Sequence, residues 1–343
     1  MKVQVNKESE LKFSSDYFEK EAFVNKIYKY EYGYQDGKVM HIAFNIDESF
    51  CMPMGVTITS ILENNKDVNF AFHVFIDGIN QKDKELLENT MKKYNANCYV
   101  YIMNMEQFSN FHIKHKRFKH VAYFRLYMNK VLYKITDRFL YLDADLICIS
   151  SMKPFFDIDL EGKIIAAVED YPEAVTTRSK FLGLEHGHYL DSGMMLVDCK
   201  AWEENQITEK CFAYQGVSAE KFTCHDHDVL NLVLDGHVCY VDVKFNFMGI
   251  YWLTTPKACI IYHFFGRVKP WGIAVSDEEL EWRRYLSISL WEDMPNPLPP
   301  KQGQYYFYYK YAADYYRHNG DKMKELSCKA WYSVLKIASL LGL

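Results

Sequence analysis

Two aspartates, Asp143 and Asp145, interrupt the stretch FLYLDADLICIS at residues 139–150, whose apolar residues otherwise predict a buried strand. Two carboxylates about 4 Å apart repel each other by roughly 4 kcal/mol at an effective dielectric constant near 20. A divalent cation bound between them turns this repulsion into attraction. The alternative interpretation is a pair of turn or helix-capping aspartates, which are common after strands. We favour a metal site because Asp47 and Asp170 also stand where apolar runs stop.

A histidine follows another apolar run, in IIYHFFGRVKPW, where His263 precedes Gly266 and Lys269. An imidazole together with two carboxylates is typical of a mixed nitrogen and oxygen site for Mn²⁺ or Mg²⁺, and manganese tolerates nitrogen better. A small residue and a lysine close behind are suited to contact with phosphate. The alternative is a histidine whose hydrogen bonds are satisfied inside the core.

The segment HDHDVLN at residues 225–231 brings histidine and aspartate together beside a cysteine. Zinc is disfavoured, because adjacent helix residues do not share a face and no two histidines stand four residues apart here. We predict instead that Asp226 and His227 lie at a helix N-terminus that lines a pocket, where free N–H groups favour polar contacts. A simple helix cap at Asp226 is the alternative.

The elements that must position these residues alternate between apolar strands and amphipathic helices. We predict strands at 39–47, 69–77, 97–104, 163–170 and 191–198, and helices at 54–65, 82–94, 201–214 and 226–236. This alternation is the signature of an α/β domain with a mostly parallel sheet between helical layers. Ligands of such sheets bind at the carboxyl ends of the strands, so the strand-end aspartates can converge on one crevice.

Composition and charge narrow the class of protein. The chain has 343 residues, of which 49% are hydrophobic, so it can bury a large core. Its formal net charge of −5 argues against a general nucleic-acid-binding protein. No secretory signal and no charge-free window long enough to span a membrane are visible. The nine cysteines form no C-x-x-C pair, which suits reduced thiols in a cytoplasmic protein.

Seven segments together resemble glycosyltransferase family 8, a family of retaining sugar-nucleotide transferases, and most closely the bacterial enzymes that add α-linked glucose or galactose to the lipopolysaccharide outer core. In order, they are IAFNID…MGVTITSI, YFRLYM, FLYLDADL, YLDSGMMLVD, DHDVLN, FNFM and HFFGRVKPW. The resemblance implies a GT-A fold with a Rossmann-like nucleotide-binding sheet, a UDP-sugar donor and a lipopolysaccharide core acceptor.

The resemblance also implies a role for each matching residue. Asp143, Asp145 and His263 match metal ligands, with Mn²⁺ (or Mg²⁺) bridging the donor diphosphate. Asp47 and Ser49 fall where the nucleoside is contacted, and Gly266 and Lys269 where the diphosphate is. The positions that line the sugar and the reaction centre are Arg125, Asp170, Asp191, Asp226 and His227.

Two residues depart from the family pattern. Asp191 stands in YLDSG where the family usually has asparagine, and His227 stands in D-H-D where it usually has glutamine. Retention of configuration requires either a covalent glycosyl-enzyme or attack on the same face as the leaving diphosphate. We expect same-face attack, with Asp191 holding donor hydroxyls. The two departures also keep open a second class of function, a sugar-nucleotide- or carbohydrate-binding protein that is catalytically weak or inactive.

The expected organisation is an N-terminal arm (1–38), a glycosyltransferase domain (39–291) and a helical C-terminal extension (292–343). Residues 321–343 predict a basic amphipathic helix, with apolar residues at three- and four-residue spacing and Lys322, Lys329 and Lys336 on another face. Such a helix can lie in an anionic membrane surface, which would place a cytoplasmic protein on the inner face of the bacterial inner membrane. The alternative is that it packs on the body or on another subunit.

Overall fold

A computed structural model of the protein describes residues 15–33, 37–114, 119–218, 220–249, 255–266, 268–292, 294–296 and 306–341. Residues 1–14 of the predicted arm lie outside the described residues, as does most of the proline-rich boundary that begins the predicted extension.

Within the described residues, the strands form two sheets. The strands are β1 (Val24–Glu31), β2 (Val39–Ile46), β3 (Asn69–Ile76), β4 (Asn97–Met103), β5 (Arg138–Leu142), β6 (Leu146–Cys148), β7 (Ile165–Glu169), β8 (Leu190–Asp198), β9 (Val238–Tyr240), β10 (Phe247–Met248) and β11 (Ile261–His263). The large sheet has the order β1-β4-β3-β2-β5-β8-β7-β9, and the small one β10-β11-β6. Six strands of the large sheet run in one direction, while β1 and β8 run in the other. The predicted mostly parallel α/β sheet is confirmed.

Helices cover both faces of the large sheet. They are α1 (Lys20–Phe23), α2 (Cys51–Asn64), α3 (Gln81–Tyr94), α4 (Met128–Leu132), α5 (Pro172–Leu182), α6 (Cys199–Glu204), α7 (Ile207–Phe212), α8 (Asp226–Val233), α9 (Asp277–Ile288), α10 (Tyr306–His318) and α11 (Lys322–Leu340). Short 3₁₀ helices span Ser15–Phe18, Glu48–Phe50, Met105–Phe108, His120–Leu126, Lys153–Asp157 and Val243–Phe245.

Two apolar cores fill the space between sheet and helices. On one face, residues of α2, α3 and α9 pack with the small sheet, and on the other, residues of α1, α4, α6, α7 and α8 pack together. The central strand β3 buries every residue after Asn69, as expected for a strand that is covered on both faces. In α2, a Cβ added at Gly55 would lie 2.3 Å from the ring of Trp291, so the close packing of this helix requires glycine.

Three elements differ from the sequence-based expectations. The stretch at 139–150 is two strands, β5 and β6, which lie in different sheets, so the Asp143–Asp145 segment is the passage between them. The predicted helix at 201–214 is divided into α6 and α7 at Gln206, whose φ of 53° is left-handed. Residues 24–31, within the predicted arm, form the edge strand β1, which pairs with β4.

The helices α10 and α11 form a hairpin at the C-terminal end of the described residues. The α10 residues Tyr308 and Ala312 pack on Ile273, in a third apolar cluster that also includes Cys328 of α11. Among the described helices, none is both long and apolar enough to cross a membrane.

Candidate active site

The predicted strand-end aspartates lie along one edge of the large sheet. The strands β2, β5 and β7 run in the same direction, and Asp47, Asp143 and Asp170 follow their last residues directly. Because β8 runs in the opposite direction, its start lies at the same edge, where it carries Asp191. Strand direction therefore gathers four carboxylates that are far apart in the sequence.

The first carboxylate–histidine cluster consists of Asp143, Asp145 and His263, whose ligand atoms lie within 4.8 Å of one another. It forms because β6 continues from Asp145 and pairs with β11, in a register that sets His263 opposite Leu146. The Nε2 atom of His263 lies 3.3 Å from Asp145 Oδ1 and 4.0 Å from Asp143 Oδ2. The predicted set of three residues is thus brought together around the imidazole.

A glycine allows His263 to approach the large sheet. A Cβ added at Gly193 in β8 would lie 2.4 Å from His263 Cε1. The Nδ1 atom of His263 is buried, has no hydrogen-bond partner among the described residues and lies 3.8 Å from Asp191 Oδ1. Gly193 of the YLDSG motif therefore leaves the space that the His263 ring of the first cluster occupies.

Lys269 adds a cation to the first cluster. Its Nζ donates to Asp145 Oδ2 and, at 2.6 Å, to the carbonyl oxygen of Phe264. Burial alone would raise the pKa of Asp145, but Lys269 and His263 outweigh it and hold that pKa well below its usual value. Burial would lower the pKa of His263, but Asp145 and the other nearby carboxylates raise it to about 9.

The chemistry of this donor set fits a six-coordinate Mn²⁺ or Mg²⁺. Metal–ligand distances near 2.1 Å place adjacent ligands about 3 Å apart and opposite ligands about 4.2 Å apart. The separations of 3.3 and 4.0 Å around His263 Nε2 lie within this range. Two carboxylates and one imidazole also leave coordination positions free for phosphate oxygens or water.

The second carboxylate–histidine cluster consists of Asp170, Asp191 and His227. The Nε2 atom of His227 donates to the carbonyl oxygen of Leu190 and lies 3.8 Å from Asp170 Oδ2. Burial would lower the pKa of His227, but Asp170 and Asp191 outweigh it and raise that pKa, whereas burial raises the pKa of Asp170 to about 6. Asp191 Oδ1 accepts hydrogen bonds from the backbone of Gly193 at 2.9 Å and from Asn246 at 2.7 Å.

Arg125 joins the first cluster to the N-terminus of α8. Its guanidinium donates to Asp143 Oδ1 at 3.0 Å and to both oxygens of Ser192 at 2.9 Å, and its Nε lies 3.1 Å from Asp226 Oδ2. It also stacks over the ring of Tyr141, whose hydroxyl lies 2.6 Å from Asp143 Oδ1. Burial raises the pKa of Asp226, and Arg125 opposes that rise.

The predicted nucleoside residues lie outside both clusters. Asp47 caps the 3₁₀ helix that follows β2, accepting from the backbone of Ser49 at 2.8 Å, and its second oxygen lies 3.0 Å from Lys119 Nζ. Burial would raise the pKa of Asp47, but Ser49 and Lys119 together lower it.

Gly266, predicted to contact the diphosphate, is exposed in the turn between His263 and Lys269. Its φ is 97°, a conformation that favours glycine.

Sequence reasoning missed three residues that support the site. Tyr141, Asn246 and Lys119 each bind one of the predicted carboxylates. Two of them had a usable signal: Tyr141 stands two residues before Asp143, the period with which strand side chains repeat on one face, and Asn246 lies in the FNFM segment.

Solved structures with the same architecture identify the fold of this chain. The galactosyltransferase LgtC, in a complex with donor and acceptor sugar analogues, matches with a TM-score of 0.60 and 22% identity over 73% of this chain and 96% of its own. The bifunctional glycosyltransferase WbbM matches with a TM-score of 0.64 and 17% identity, over 76% of this chain and 51% of its own. The fold is the GT-A fold of these glycosyltransferases, with a helical hairpin at the C-terminal end.

Sequence comparison then defines the family. Residues 41–273 match glycosyl transferase family 8, and this chain belongs to that family. The lipopolysaccharide 1,3-galactosyltransferase of Salmonella typhimurium is 32% identical over 274 residues, which cover 75% of this chain and 80% of that protein. The lipopolysaccharide glucosyltransferase WaaO of Escherichia coli is 26% identical over 271 residues, 74% and 79% of the two chains. The family resemblance of the seven motifs is confirmed.

Proposed function

We propose that this glycosyltransferase moves glucose or galactose from a UDP-sugar to a sugar of the lipopolysaccharide outer core and forms an α-glycosidic bond with retention. The observation that carries the proposal is the first cluster with Lys269 beside it, at the edge where the strands end. The acceptor class comes from the two relatives above, whose names specify lipopolysaccharide and transfer of galactose or glucose.

We assign the leaving group to the first cluster. Asp143, Asp145 and His263 would hold Mn²⁺ or Mg²⁺, which when bound neutralises negative charge on the departing diphosphate. Lys269 Nζ, which binds Asp145 in the free protein, is close enough to exchange that contact for a phosphate oxygen. The open turn at Gly266 leaves space for the diphosphate beside it.

We assign the sugar to the second cluster and Arg125. Asp170 and Asp191 are carboxylates that can accept hydrogen bonds from donor hydroxyls, with His227 as their counter-charge. The N-terminus of α8 presents Asp226 to the same space, held there by Arg125. At the far end, Asp47 and Ser49 would bind the nucleoside.

The route of retention is proposed as same-face attack. Asp191 Oδ1 already accepts from Gly193 and Asn246, which ties this carboxylate to the protein rather than leaving it free to attack the anomeric carbon. Mass spectrometry of a slowed variant such as Asp226→Asn, incubated with donor, tests this route. We expect no covalent sugar on the chain, and a glycosyl adduct on Asp191 would establish double displacement instead.

A panel of UDP-sugars tests the donor and separates the two classes of function. We expect slow, Mn²⁺-dependent release of UDP from UDP-glucose or UDP-galactose, faster with lipopolysaccharide core oligosaccharide and abolished by a chelator. Binding of these donors without release of UDP, even with acceptor present, would favour the catalytically inactive binding protein. If no UDP-sugar bound, the proposal would be wrong.

We also propose that α11 docks this cytoplasmic protein on the anionic inner face of the inner membrane. Residues Glu325, Cys328 and Tyr332 of α11 face α10, through an ion pair with Arg317 and apolar contacts. The opposite side carries an apolar stripe whose members are 56–80% exposed, namely Met323, Leu326, Val334, Ile337 and Leu341. Lysines every seven residues flank this stripe, which is the arrangement of an interfacial helix.

Flotation with vesicles tests the docking surface. We expect the unaltered chain to float with phosphatidylglycerol vesicles and not with phosphatidylcholine vesicles. The triple variant Leu326→Ser/Val334→Ser/Ile337→Ser should no longer float with phosphatidylglycerol vesicles. Leu280→Ser is the control, because Leu280 is an exposed leucine that belongs to α9 and not to the hairpin. Unchanged flotation of the triple variant would show that α11 is not the anchor.

A further inference from the structure

One arginine of α9 binds the backbone of the loop that carries Lys269. Arg283 donates from Nε to the carbonyl oxygen of Pro270 at 2.8 Å and from Nη2 to that of Trp271 at 3.0 Å. The same guanidinium donates to the carbonyl oxygens of Met294 at 2.7 Å and Pro295 at 3.2 Å. One planar, permanently charged group therefore ties two separate stretches of backbone together, and such charge-assisted hydrogen bonds are the stronger kind.

The stretch that contains Met294 and Pro295 also binds the Lys269 loop a few residues later, at Ala274. The side-chain amide of Asn296 accepts from the backbone N–H of Ala274 and donates to its carbonyl oxygen, both at 3.0 Å. The side chain of Trp271 packs against the rings of Phe50 and Trp282, with ring centroids 5.8 and 5.6 Å apart. The loop after Lys269 is thus held by hydrogen bonds from Arg283 and Asn296 and by the packing of Trp271.

The hairpin helix α10 packs against the end of this loop. Ile273 is fully buried, and its neighbours include Tyr308 and Ala312 of α10. The backbone N–H groups of Gly272 and Ile273 donate to the carbonyl oxygen of Lys269, at 2.8 and 3.1 Å. Packing of α10 on Ile273 therefore fixes the turn from which the Lys269 side chain extends.

Lys269 needs such support because a lysine side chain is long and flexible. Its Nζ reaches Asp145 Oδ2 and the Phe264 carbonyl oxygen only if its backbone stands at the right distance from β11. Arg283 is half-buried, and its guanidinium donates to backbone carbonyl oxygens of Pro270 and Trp271, which belong to neither cluster. Its effect on the site passes through the backbone of Pro270 and Trp271, next to Lys269.

We propose that Arg283 is a positioning residue for Lys269 and that Arg283 and α10, which packs on Ile273, together make α9 and the C-terminal hairpin a support of the diphosphate-binding site. The inference rests on the proposed function, because it takes Lys269 as the cation that binds the donor diphosphate. It gives the hairpin a role in donor binding that is independent of any role in docking.

The test compares ligands that differ in phosphate, with Mn²⁺ present. Arg283→Met should weaken binding of UDP about 10- to 100-fold, because a displaced lysine no longer meets the diphosphate. Binding of uridine should weaken much less, because uridine carries no phosphate for Lys269 to contact, although Trp271 of this loop packs on Phe50, next to Ser49. Arg284→Met is the matched control, because Arg284 is the next residue of α9 and pairs with Glu281 at the surface.

A double-mutant cycle separates positioning from general destabilisation. If Arg283 acts through Lys269, the double variant Arg283→Met/Lys269→Ala should bind UDP no more weakly than Lys269→Ala alone. Losses that multiply would overturn the inference, and so would UDP binding by Arg283→Met at the unaltered level. Should Arg283→Met fail to fold, Ile273→Ala removes the α10 contact without removing a hydrogen bond, and the same two outcomes apply to it.

The two proposals fail in different ways. If the unaltered chain did not bind UDP with Mn²⁺, the proposed function and the inference would both be wrong. If it bound UDP and the Arg283→Met and Ile273→Ala variants bound it equally well, only the inference would be wrong.

Discussion

Two clusters with the same composition, two aspartates and one histidine, lie side by side, and they differ in what the histidine contacts. In the first cluster, Nε2 of His263 faces Asp145 and Asp143. In the second, Nε2 of His227 donates to the Leu190 carbonyl oxygen, which can only accept, so this nitrogen is already bound by the backbone. The two clusters therefore share a composition but differ in the partner of the histidine Nε2, which is a carboxylate in the first and a backbone carbonyl in the second.

The two clusters also differ in how much of their aspartate side chains is exposed to solvent. The side chain of Asp143 keeps 27% of its surface exposed, whereas those of Asp170 and Asp191 keep 6% and 8%. A cation that arrives with part of its water shell can reach the first cluster, and Mg²⁺ in particular gives up its water reluctantly. In the second cluster, His227 is already bound to the Leu190 carbonyl oxygen, and Asp170 and Asp191 are acceptors suited to hydroxyl groups.

The largest expected effect comes from one carboxylate of each cluster. Asp145→Asn should lower transferase activity about 100- to 1000-fold and abolish Mn²⁺ binding, because the charge that holds the cation is lost. Asp170→Asn should leave Mn²⁺ affinity unchanged, although it also lowers activity. Transfer assays and titration calorimetry with Mn²⁺ measure both quantities.

The control for this pair is Asp67→Asn, which removes an exposed aspartate paired with Lys153 at the surface and should change neither quantity. Circular dichroism checks that every variant remains folded. Transfer by Asp145→Asn at the unaltered rate would contradict the assignment of the first cluster, and loss of Mn²⁺ binding in Asp170→Asn would mean that the clusters are not distinct.

The next effect concerns protons released when a metal binds. Because the pKa of His263 is raised to about 9 in the free protein, its imidazole is protonated at pH 7 and must lose a proton to become a ligand. Mn²⁺ affinity should therefore rise about tenfold per pH unit below pH 9. Calorimetry in two buffers of different ionisation enthalpy should detect close to one proton released per Mn²⁺ at pH 7. Affinity that does not depend on pH would contradict the loss of a proton from His263 on metal binding.

Much of the site's location follows from the sequence, because strand direction is readable. Apolar runs that close on Asp47, Asp143 and Asp170 predict carboxylates at one edge of a parallel sheet, and the structure places them there. His263 follows an apolar run in the same way, although its strand belongs to the second sheet. Local patterns suffice when a residue's position depends on where its own strand ends.

What the sequence did not predict depends on contacts between distant segments. No local pattern marks the Leu190 carbonyl as the partner of His227, or Arg283 as the support of the loop before α9. The change of sheet between β5 and β6 was hidden for the same reason, since both halves of FLYLDADLICIS are equally apolar. Pairing partners are properties of the assembled fold, and a single strand pattern does not contain them.

The smallest expected effect tests the second cluster through its histidine. Burial raises the pKa of Asp170 to about 6, and the positive His227 opposes that rise. Replacing His227 with the family's usual glutamine removes this charge, so the pKa of Asp170 should rise above 6. Asp170 then becomes neutral at a higher pH, and the acid limb of the kcat/KM profile should move upward. On the plateau above both acid limbs, where Asp170 is ionised, we expect activities within about tenfold of each other.

Mn²⁺ affinity should be the same in His227→Gln and in the unaltered chain, because the first cluster is unchanged. His188→Gln is the matched control, since His188 pairs with Glu169 at the surface and should not move the pH profile. A weaker Mn²⁺ affinity in His227→Gln would place a metal in the second cluster. An acid limb that stays in place would mean that ionised Asp170 is not needed, and that sugar binding depends on Asp191 and Asp226 instead.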